Sequence, residues 1–215
     1  MNETDTHTLP EVILLATGNV KKLGEIQQVF AETGLQRVKL LALADLPDDI
    51  PEPVEDGETF AENAEIKAKA YARATGRWCL ADDSGLVVDA LGGEPGIHSA
   101  RYSGVEGSRS ERDRANNEKL LLSLSACGAE GEKRSARFVC CMCLVDERGN
   151  VVHRTRGEMA GVIGDSPRGS NGFGYDPLLI LPEGMTVAEL EAEEKNRRSH
   201  RGQATRAMAA FLASL

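Results

Sequence analysis

The sequence lacks an apolar run approaching the roughly 20 residues needed to cross a bilayer. Its first ten residues, MNETDTHTLP, also lack the apolar stretch of a secretion signal. We therefore expect a soluble, cytoplasmic protein. No basic run is visible, and a formal net charge of −9 would repel a polyanion. These absences argue against a nucleic-acid polymer or an anionic membrane as partner, although a few well-placed cations would suffice to hold a small phosphate ligand.

Cysteine is scarce: the chain contains five cysteines, an odd number. Cys140, Cys141 and Cys143 crowd into one apolar segment, which fits a reducing compartment and argues against structural disulfides. The cluster has no paired C-x-x-C spacing, and alternation along a strand sends Cys140 to the face opposite the other two. We interpret these residues as buried small hydrophobes rather than zinc ligands.

The order of apolar segments predicts an α/β fold. A chain of 215 residues with 41% hydrophobic content suits one large unit or two small lobes sharing a core. Helical signals lie at Leu23, Ile26, Gln27 and Phe30 before Gly34, after Thr59, over 110–125, after Thr186 and after Ser199. Strands are predicted at Glu11–Ala16, Val38–Leu43, Trp78–Ala81, Leu86–Leu91, Ser135–Asp146, Val151–Met159 and Leu178–Leu181. Strands that alternate with helices, together with one hairpin, predict a mixed sheet covered by helices. We treat residues 1–10 as a polar tail and 11–215 as the folded domain.

The turn between the first strand and the first helix has the geometry of a phosphate cradle. Free backbone N–H groups and the helix dipole attract an anion at a helix N-terminus. No Walker A pattern, G-x-x-x-x-G-K-[ST], occurs anywhere, so an ordinary strand-to-helix turn with solvated lysines is an equal alternative. The candidate residues are Thr17, Gly18, Asn19, Val20, Lys21 and Lys22.

Two adjacent carboxylates, Asp82 and Asp83, follow a short apolar strand, where open α/β sheets place their ligand sites. Carboxylates gathered there repel one another unless a cation joins them, and Mg²⁺ suits oxygen ligands from carboxylates and substrate phosphates. Alternatively, the Asp-Asp-Ser-Gly sequence only caps a turn. A second carboxylate must come from elsewhere, and the residues alone do not choose among Glu52, Glu55, Asp56 and Glu62. Glu62 already completes a Thr59-x-x-Glu62 capping box, which indicates a structural role.

Two further segments carry candidate ligand contacts. Phe173 and Tyr175 lie in the glycine-rich run NGFGYDP, and in a chain with only 4% aromatic residues such a pair indicates a stacked base. Closing a core edge is the alternative. Lys195, His200 and Arg201 gather cations and donors before the last helix, where they form either a solvated face or a site for a base or phosphate. Lys67 on the second helix is by itself a surface lysine.

Five segments in order resemble the motifs of the inosine triphosphate pyrophosphatase family, the dITP/XTP pyrophosphatases. They are ATGNVKKLGEI, EDGETFAENAEIKAKAYA, LADDSGLVVDALGGEPGIHSARYSG, GFGYDPLLI and EEKNRRSHRGQA. Each motif is weak, but five with fitting separations from Leu14 to Ala204 are highly specific. Lys21 stands where many bacterial members have glycine, and Arg198 stands where an apolar residue usually precedes Ser-His-Arg.

The resemblance implies a magnesium-dependent homodimer that hydrolyses non-standard purine nucleoside triphosphates such as ITP, dITP and XTP. It also implies two lobes around a long mixed sheet, with the nucleotide in the cleft between them. By the same carry-over, Thr17 to Lys22 would hold the triphosphate, Glu55 and Asp83 would bind Mg²⁺, and Asp83 would orient or activate the attacking water. Substrate contacts are implied for Lys67, Ser84, Phe173, Gly174, Tyr175, Asp176, Lys195, His200 and Arg201.

Two rival functions remain. A Maf-type pyrophosphatase would use a similar scaffold with another base preference. A regulator that senses nucleotides without cleaving them is also compatible with the cations. The Asp82-Asp83 pair disfavours a regulator, because carboxylates beside a triphosphate weaken its binding unless a metal is held there.

Overall fold

The computed structural model describes residues 8–35, 37–47 and 50–215, so most of the predicted tail lies outside the described residues. The helices are α1 (Val20–Glu32), α2 (Phe60–Thr75), α3 (Arg109–Ala126), α4 (Ala192–Arg198) and α5 (His200–Ala213). The strands are β1 (Val12–Leu15), β2 (Lys39–Ala42), β3 (Trp78–Val88), β4 (Ser135–Val145), β5 (Val151–Ile163) and β6 (Leu179–Ile180).

The strands form a six-stranded mixed sheet in the order β2-β1-β3-β4-β5-β6, which confirms the predicted fold class. β1 is parallel to both β2 and β3, whereas β5 and β6 are antiparallel. Because β1 has a parallel neighbour on each side, it is apolar almost throughout, and Ile13, Leu14 and Leu15 are at most 1% exposed. The hairpin predicted between β4 and β5 is present, closed by the backbone N–H of Asp146 donating to the carbonyl of Asn150.

The prediction of two strands separated by Asp82–Gly85 is wrong, because β3 is continuous from Trp78 to Val88. Its parallel pairing with β1 ends at Leu80, opposite Leu15. The two aspartates therefore follow the carboxyl end of the parallel ladder, as expected for a ligand site, but they lie inside a strand and not in a turn. Turn-forming residues in this segment did not break the strand, because pairing within the sheet outweighs local propensity.

The helix predicted to begin after Thr186 is also wrong. Residues Val187–Glu189 form a single 3-10 turn. The Thr186 hydroxyl donates to the Arg168 carbonyl instead of capping a helix. The Glu189 carboxylate still accepts the Thr186 N–H at 2.6 Å, so half of the sequence signature is used without helix propagation.

The chain divides into two compact units. Unit 1 comprises 1–83, 141–156 and 201–215, and its core packs α2 against residues of β1, β3 and β4 such as Leu14, Cys79 and Cys143. Unit 2 comprises 84–140 and 157–200, with a core that includes Leu86, Leu120 and Tyr175. Among the described residues, no helix is both long and apolar enough to span a membrane.

Candidate active site

Asp82 is the anionic centre of a buried charge cluster in unit 1. Its Oδ2 lies 2.9 Å from Nζ of Lys22 and 3.3 Å from Nε of Arg201. Burial by itself raises the pKa of Asp82, but Lys22, Arg201 and Lys67 together hold it well below its usual range. Asp82 is therefore ionised at neutral pH and fixes the positions of cations from α1 and α5.

Lys67 is not the solvated lysine that its place on a helix suggests, since it is only 9% exposed. Its Nζ lies 3.0 Å from Oε1 of Glu55 and donates to the backbone carbonyl of Asp82 at 3.2 Å. Burial lowers its pKa, but the charges of Asp82, Glu55 and Asp83 outweigh this and leave the pKa raised. Lys67 thus remains cationic and brings Glu55 next to the aspartate pair.

The pKa of Asp83 is shifted in the opposite direction from that of Asp82. Its pKa is raised, chiefly by burial, with further contributions from the nearby charges of Glu55 and Asp82, while Lys67 and Lys22 act in the opposite direction. A carboxylate in this position gains strongly from an additional cation, which would stabilise its ionised form. Asp82 is therefore stabilised as a carboxylate by its cation partners, whereas burial of Asp83 is not fully compensated by the cations near it.

The N-terminus of α1 begins at the predicted cradle. Asn19 caps the helix, and its Oδ1 accepts the N–H groups of Lys21 at 3.1 Å and Lys22 at 3.4 Å. The Thr17 hydroxyl oxygen accepts the Asn19 N–H at 3.2 Å. A Cβ placed on Gly18 would meet no atom within 4 Å, so the turn leaves open space there. Val20 is 79% exposed. Side-chain oxygens thus already occupy positions where an anion would accept the same donors.

Arg201 is the most buried cation of the cluster, with its side chain 2% exposed. Besides Asp82, its guanidinium pairs with Glu25 of α1, with Nη1 2.5 Å from Oε2. Its backbone carbonyl accepts the Thr205 hydroxyl at 2.7 Å within α5. Arg201 therefore links α1, β3 and α5, and its partner Glu25 belongs to none of the groups of site residues predicted from the sequence.

The loop before α2 is held by the start of that helix. Glu62 Oε2 accepts the N–H groups of Glu58 and Thr59, and the Thr59 hydroxyl accepts the Glu62 N–H, so the predicted capping box is confirmed. Asn63, 2% exposed, accepts the Gly57 N–H at 2.9 Å through Oδ1. These bonds fix the chain two residues beyond Glu55, which gives Glu62 and Asn63 a supporting role.

A second polar group lies in unit 2. Nζ of Lys195 is 2.8 Å from Oδ2 of Asp176, and both side chains are less than 10% exposed. The same oxygen accepts the Phe173 N–H at 2.8 Å. Lys195 Nζ lies 4.5 Å from the centroid of the Phe173 ring, and Cζ of Arg109 lies 4.7 Å from it. The Phe173 ring is therefore in contact with two cations.

Tyr175 has a different place from Phe173. Its ring is 4% exposed within the core of unit 2, and its hydroxyl donates to the Ser99 carbonyl at 2.9 Å. Burial raises the pKa of this phenol well above its usual range. The Tyr175 side chain therefore packs into the core of unit 2 and cannot stack on a base, so that a ligand would contact this residue through its backbone.

Three further predicted residues occupy defined places in unit 2. Ser84 is half-buried within β3. His200 is 6% exposed and stacks on Phe138, with ring centroids 5.0 Å apart and an interplanar angle of 17°. Gly174 has φ +62°, donates its N–H to Asp113 at 2.9 Å and accepts from Asn117 at 3.0 Å.

The chain is similar to known proteins over most of its length. The model of the Ham1 family matches residues 13–211. The chain belongs to the Ham1 family. It is 46% identical over 210 residues to the dITP/XTP pyrophosphatase of Corynebacterium efficiens, covering 94% of this chain and 98% of the relative. It is 51% identical over 193 residues to that of Geobacter sulfurreducens, covering 89% and 92%.

Solved Ham1 structures share the fold. A HAM1 protein from Coxiella burnetii superposes with a TM-score of 0.84 at 37% identity, covering 96% of this chain and 100% of that one. A nucleoside-triphosphatase, dITP/XTP pyrophosphatase, from Mycobacterium abscessus gives a TM-score of 0.72 at 44% identity, covering 93% and 97%. The family resemblance drawn from five sequence motifs is thereby confirmed.

The residues of this Ham1 chain fit a divalent cation that is shared with a ligand. Among the described residues, no group of three or more His, Cys, Asp or Glu side chains forms a complete metal cage. Mg²⁺ does not need one, since it binds through one or two carboxylates and completes its shell with phosphate and water. Glu55 and Asp83 would supply two hard oxygen donors, and because burial raises the pKa of Asp83, an added cation would favour its ionised form.

Proposed function

We propose that this protein hydrolyses non-standard purine nucleoside triphosphates, such as ITP, dITP and XTP, to the monophosphate and pyrophosphate. The proposal rests on the grouping of Lys22, Arg201 and Lys67 around Asp82, next to the buried carboxyl group of Asp83. The names of relatives at 46% and 51% identity support the same activity. The protein would remove non-standard bases from the nucleotide pool.

The triphosphate would be held by unit 1. The positive end of the helix dipole at Thr17 to Lys22 would attract the phosphates, which would replace Asn19 Oδ1 as acceptor of the N–H groups of Lys21 and Lys22. Lys22 adds a cation in the first turn of the helix. Lys22 is 17% exposed in its side chain, so it is accessible while paired with Asp82. Lys67 and Arg201 would stabilise the charge that develops on the departing pyrophosphate.

Glu55 and Asp83 would hold Mg²⁺ together with the substrate phosphates. When bound, the metal would neutralise phosphate charge and polarise the phosphoryl group. Asp83 would orient the attacking water and accept its proton as the water adds to the α-phosphorus. Asp82 would not take part directly, because its two cation contacts hold it ionised and occupied.

The base would be recognised by unit 2. Lys195, Asp176 and the Phe173 ring form a compact polar group with an aromatic face, and Ser84 and His200 complete the implied set. Donors aimed at a 6-oxo group are left unpaired when adenine presents its 6-amino group, which disfavours ATP. A homodimer acting in the cytoplasm completes the proposal, and the five free cysteines suit that compartment.

Pyrophosphate release tests the proposal. ITP, XTP and dITP are compared with ATP, GTP, TTP and UTP, with and without Mg²⁺. Preferential, metal-dependent release from the first three supports it. Preference for TTP or UTP indicates a Maf-type activity, and binding without turnover indicates a regulator. Asp83→Asn should abolish turnover while preserving the fold, whereas Lys22→Ala should mainly raise KM; undiminished turnover of Asp83→Asn would remove the proposed role of that carboxylate.

A further inference from the structure

One face of α3 contacts the loop that carries Phe173 and Tyr175. Arg109, Asp113 and Asn117 are spaced four residues apart, so they lie on the same side of the helix. Each contacts the loop: Arg109 lies over the Phe173 ring, and Asp113 and Asn117 bind the backbone of Gly174. The residues proposed above to bind nucleotide or metal all lie outside this helix.

The contacts fix two successive peptide groups. Asp113 Oδ2 accepts the Gly174 N–H at 2.9 Å, which belongs to the peptide plane before Gly174. Asn117 Nδ2 donates to the Gly174 carbonyl at 3.0 Å, which belongs to the plane after it. Gly174 has φ +62°, a left-handed conformation that glycine adopts without a steric penalty. The backbone direction here is therefore set by α3.

Most backbone groups of Phe173–Asp176 are already bonded. The Phe173 N–H donates to the Asp176 carboxylate, and the Asp176 N–H donates to the Phe173 carbonyl. The carbonyls of Tyr175 and Asp176 accept from Leu178 and Ala188. The backbone N–H groups of Phe173, Gly174 and Asp176 all have acceptors, whereas the Tyr175 N–H has none among the described residues.

This donor is coupled directly to Asn117. The Tyr175 N–H and the Gly174 carbonyl belong to one planar trans peptide group, in which N–H and C=O point in opposite directions. When Asn117 Nδ2 holds the carbonyl, it also sets the direction of the N–H. Asn117 is 8% exposed, so water competes weakly for this bond.

We propose that the Tyr175 N–H donates to the 6-oxo group of the purine and that Asn117 is the positioning residue that aims it. The inference rests on the proposed function and names how one group of the base is read. Adenine presents an amino donor at the same position, so the two donors would oppose each other. Asn117 acts only through the peptide group and contacts no reacting atom.

The test compares ITP with purine riboside triphosphate, which lacks the 6-oxo group. The ratio of their kcat/KM values is measured for the unmodified protein, Asn117→Asp and Asn117→Ala. Aspartate keeps the shape but cannot donate to the carbonyl when ionised, and alanine removes the amide. Glu118→Gln is the matched control, because Glu118 lies on the same helix with its side chain 67% exposed.

We expect the unmodified protein and the control to share a clear preference for ITP. In both Asn117 variants the ratio of kcat/KM values should fall about tenfold, as for one misaligned hydrogen bond. Equal losses on both substrates, or an unchanged ratio, would show that Asn117 is merely structural and overturn the inference. An unmodified protein that hydrolyses both substrates equally would also overturn it, with the proposed activity intact. Failure to hydrolyse either substrate would instead refute the proposed function itself.

Discussion

Nε of Arg201 lies 3.3 Å from Oδ2 of Asp82, although 119 positions separate the two residues in the sequence. Their side chains are 2% and 1% exposed. Lys22 reaches the same oxygen at 2.9 Å. A carboxylate that is this deeply buried remains ionised only because cations surround it, and those cations in turn depend on it.

Asp82→Asn should therefore destabilise the protein strongly. The neutral amide leaves Arg201 and Lys22 without their shared anion, which for a buried pair costs about 3–5 kcal/mol. Urea unfolding measures the loss. Asp89→Asn is the control, since Asp89 pairs with Arg137 at 2.8 Å with its side chain 52% exposed and should cost at most about 1 kcal/mol. Equal effects of the two substitutions would contradict the structural role of Asp82.

Glu55→Gln should reduce turnover by more than about 100-fold, because it replaces a proposed metal ligand and not merely an outer-shell partner. Raising the Mg²⁺ concentration should recover part of the loss. Glu52→Gln provides the matched control, as Glu52 is an exposed glutamate of the same loop. Steady-state kinetics over a series of Mg²⁺ concentrations distinguishes a metal ligand from a structural residue. A loss of turnover that is independent of the metal concentration would argue that Glu55 serves only as the partner of Lys67.

The ion pairs of Glu65 should make the free energy of unfolding depend on pH. Its carboxylate lies 2.5 Å from Nη2 of Arg154 and 2.6 Å from Nζ of Lys69. The hydrogen bond from Arg154, followed by that from Lys69, holds the pKa of Glu65 below its usual range. A depressed pKa contributes stability above the unfolded-state pKa, and this contribution is lost as the pH falls through the folded-state value.

Glu65→Gln should accordingly lower the free energy of unfolding by about 0.5–1 kcal/mol at pH 7. The difference from the unmodified protein should shrink steadily below pH ~4. Urea titrations at several pH values follow it, with Glu118→Gln as an exposed control. A difference that grows on acidification would have the wrong sign for this explanation.

Gly172→Ala should disturb the polar group of unit 2. A Cβ at this position would lie 2.0 Å from Oδ2 of Asp176 and 3.2 Å from Nζ of Lys195, at a φ of +78°. Gly174→Ala is a close control, because its φ of +62° imposes similar strain with no atom within 4 Å of the added Cβ. The first variant should unfold about 1–3 kcal/mol more easily than the second. Similar stabilities would mean that the Asp176 side chain moves aside at little cost.

The cysteines should react in two classes. Cys127 is exposed, while Cys79, Cys140, Cys141 and Cys143 are buried. Burial raises the pKa of Cys143 to about 11, which further suppresses its thiolate. A thiol reagent should modify one residue quickly in the native protein and the other four only on unfolding, and Cys127→Ser should remove the fast phase. A second fast thiol would contradict the packing of β3 and β4.

Features that depend on neighbouring residues in the chain could be predicted from the sequence. The capping box at Thr59 predicted the start of α2, and the apolar run before Thr17 predicted β1, because these signals involve residues within one turn or one strand. The continuity of β3 was not accessible in this way. Asp82, Asp83 and Gly85 are turn formers in isolation, and only neighbouring strands make their backbone extended.

The pairing of distant charges was also beyond sequence reasoning. Lys67 looked like a surface lysine, because helical position alone does not reveal that Glu55 and Asp82 lie against it. Glu25 carried no signal, since a glutamate on a helix is usually solvated. The spacing of Arg109, Asp113 and Asn117 carries no functional signal by itself, because a polar helix face becomes meaningful only when the loop it holds is known.

The ion pairs around Asp82 have a consequence for how nucleotide is taken up. Lys22, Lys67 and Arg201 are each already matched by Asp82, Glu55 or Glu25, so before any ligand arrives the cluster has little spare positive charge. An incoming polyanion must either displace these carboxylates or bring its own counterion. Rates should thus track the concentration of the magnesium–nucleotide complex, with metal-free nucleotide acting as a poor competitor.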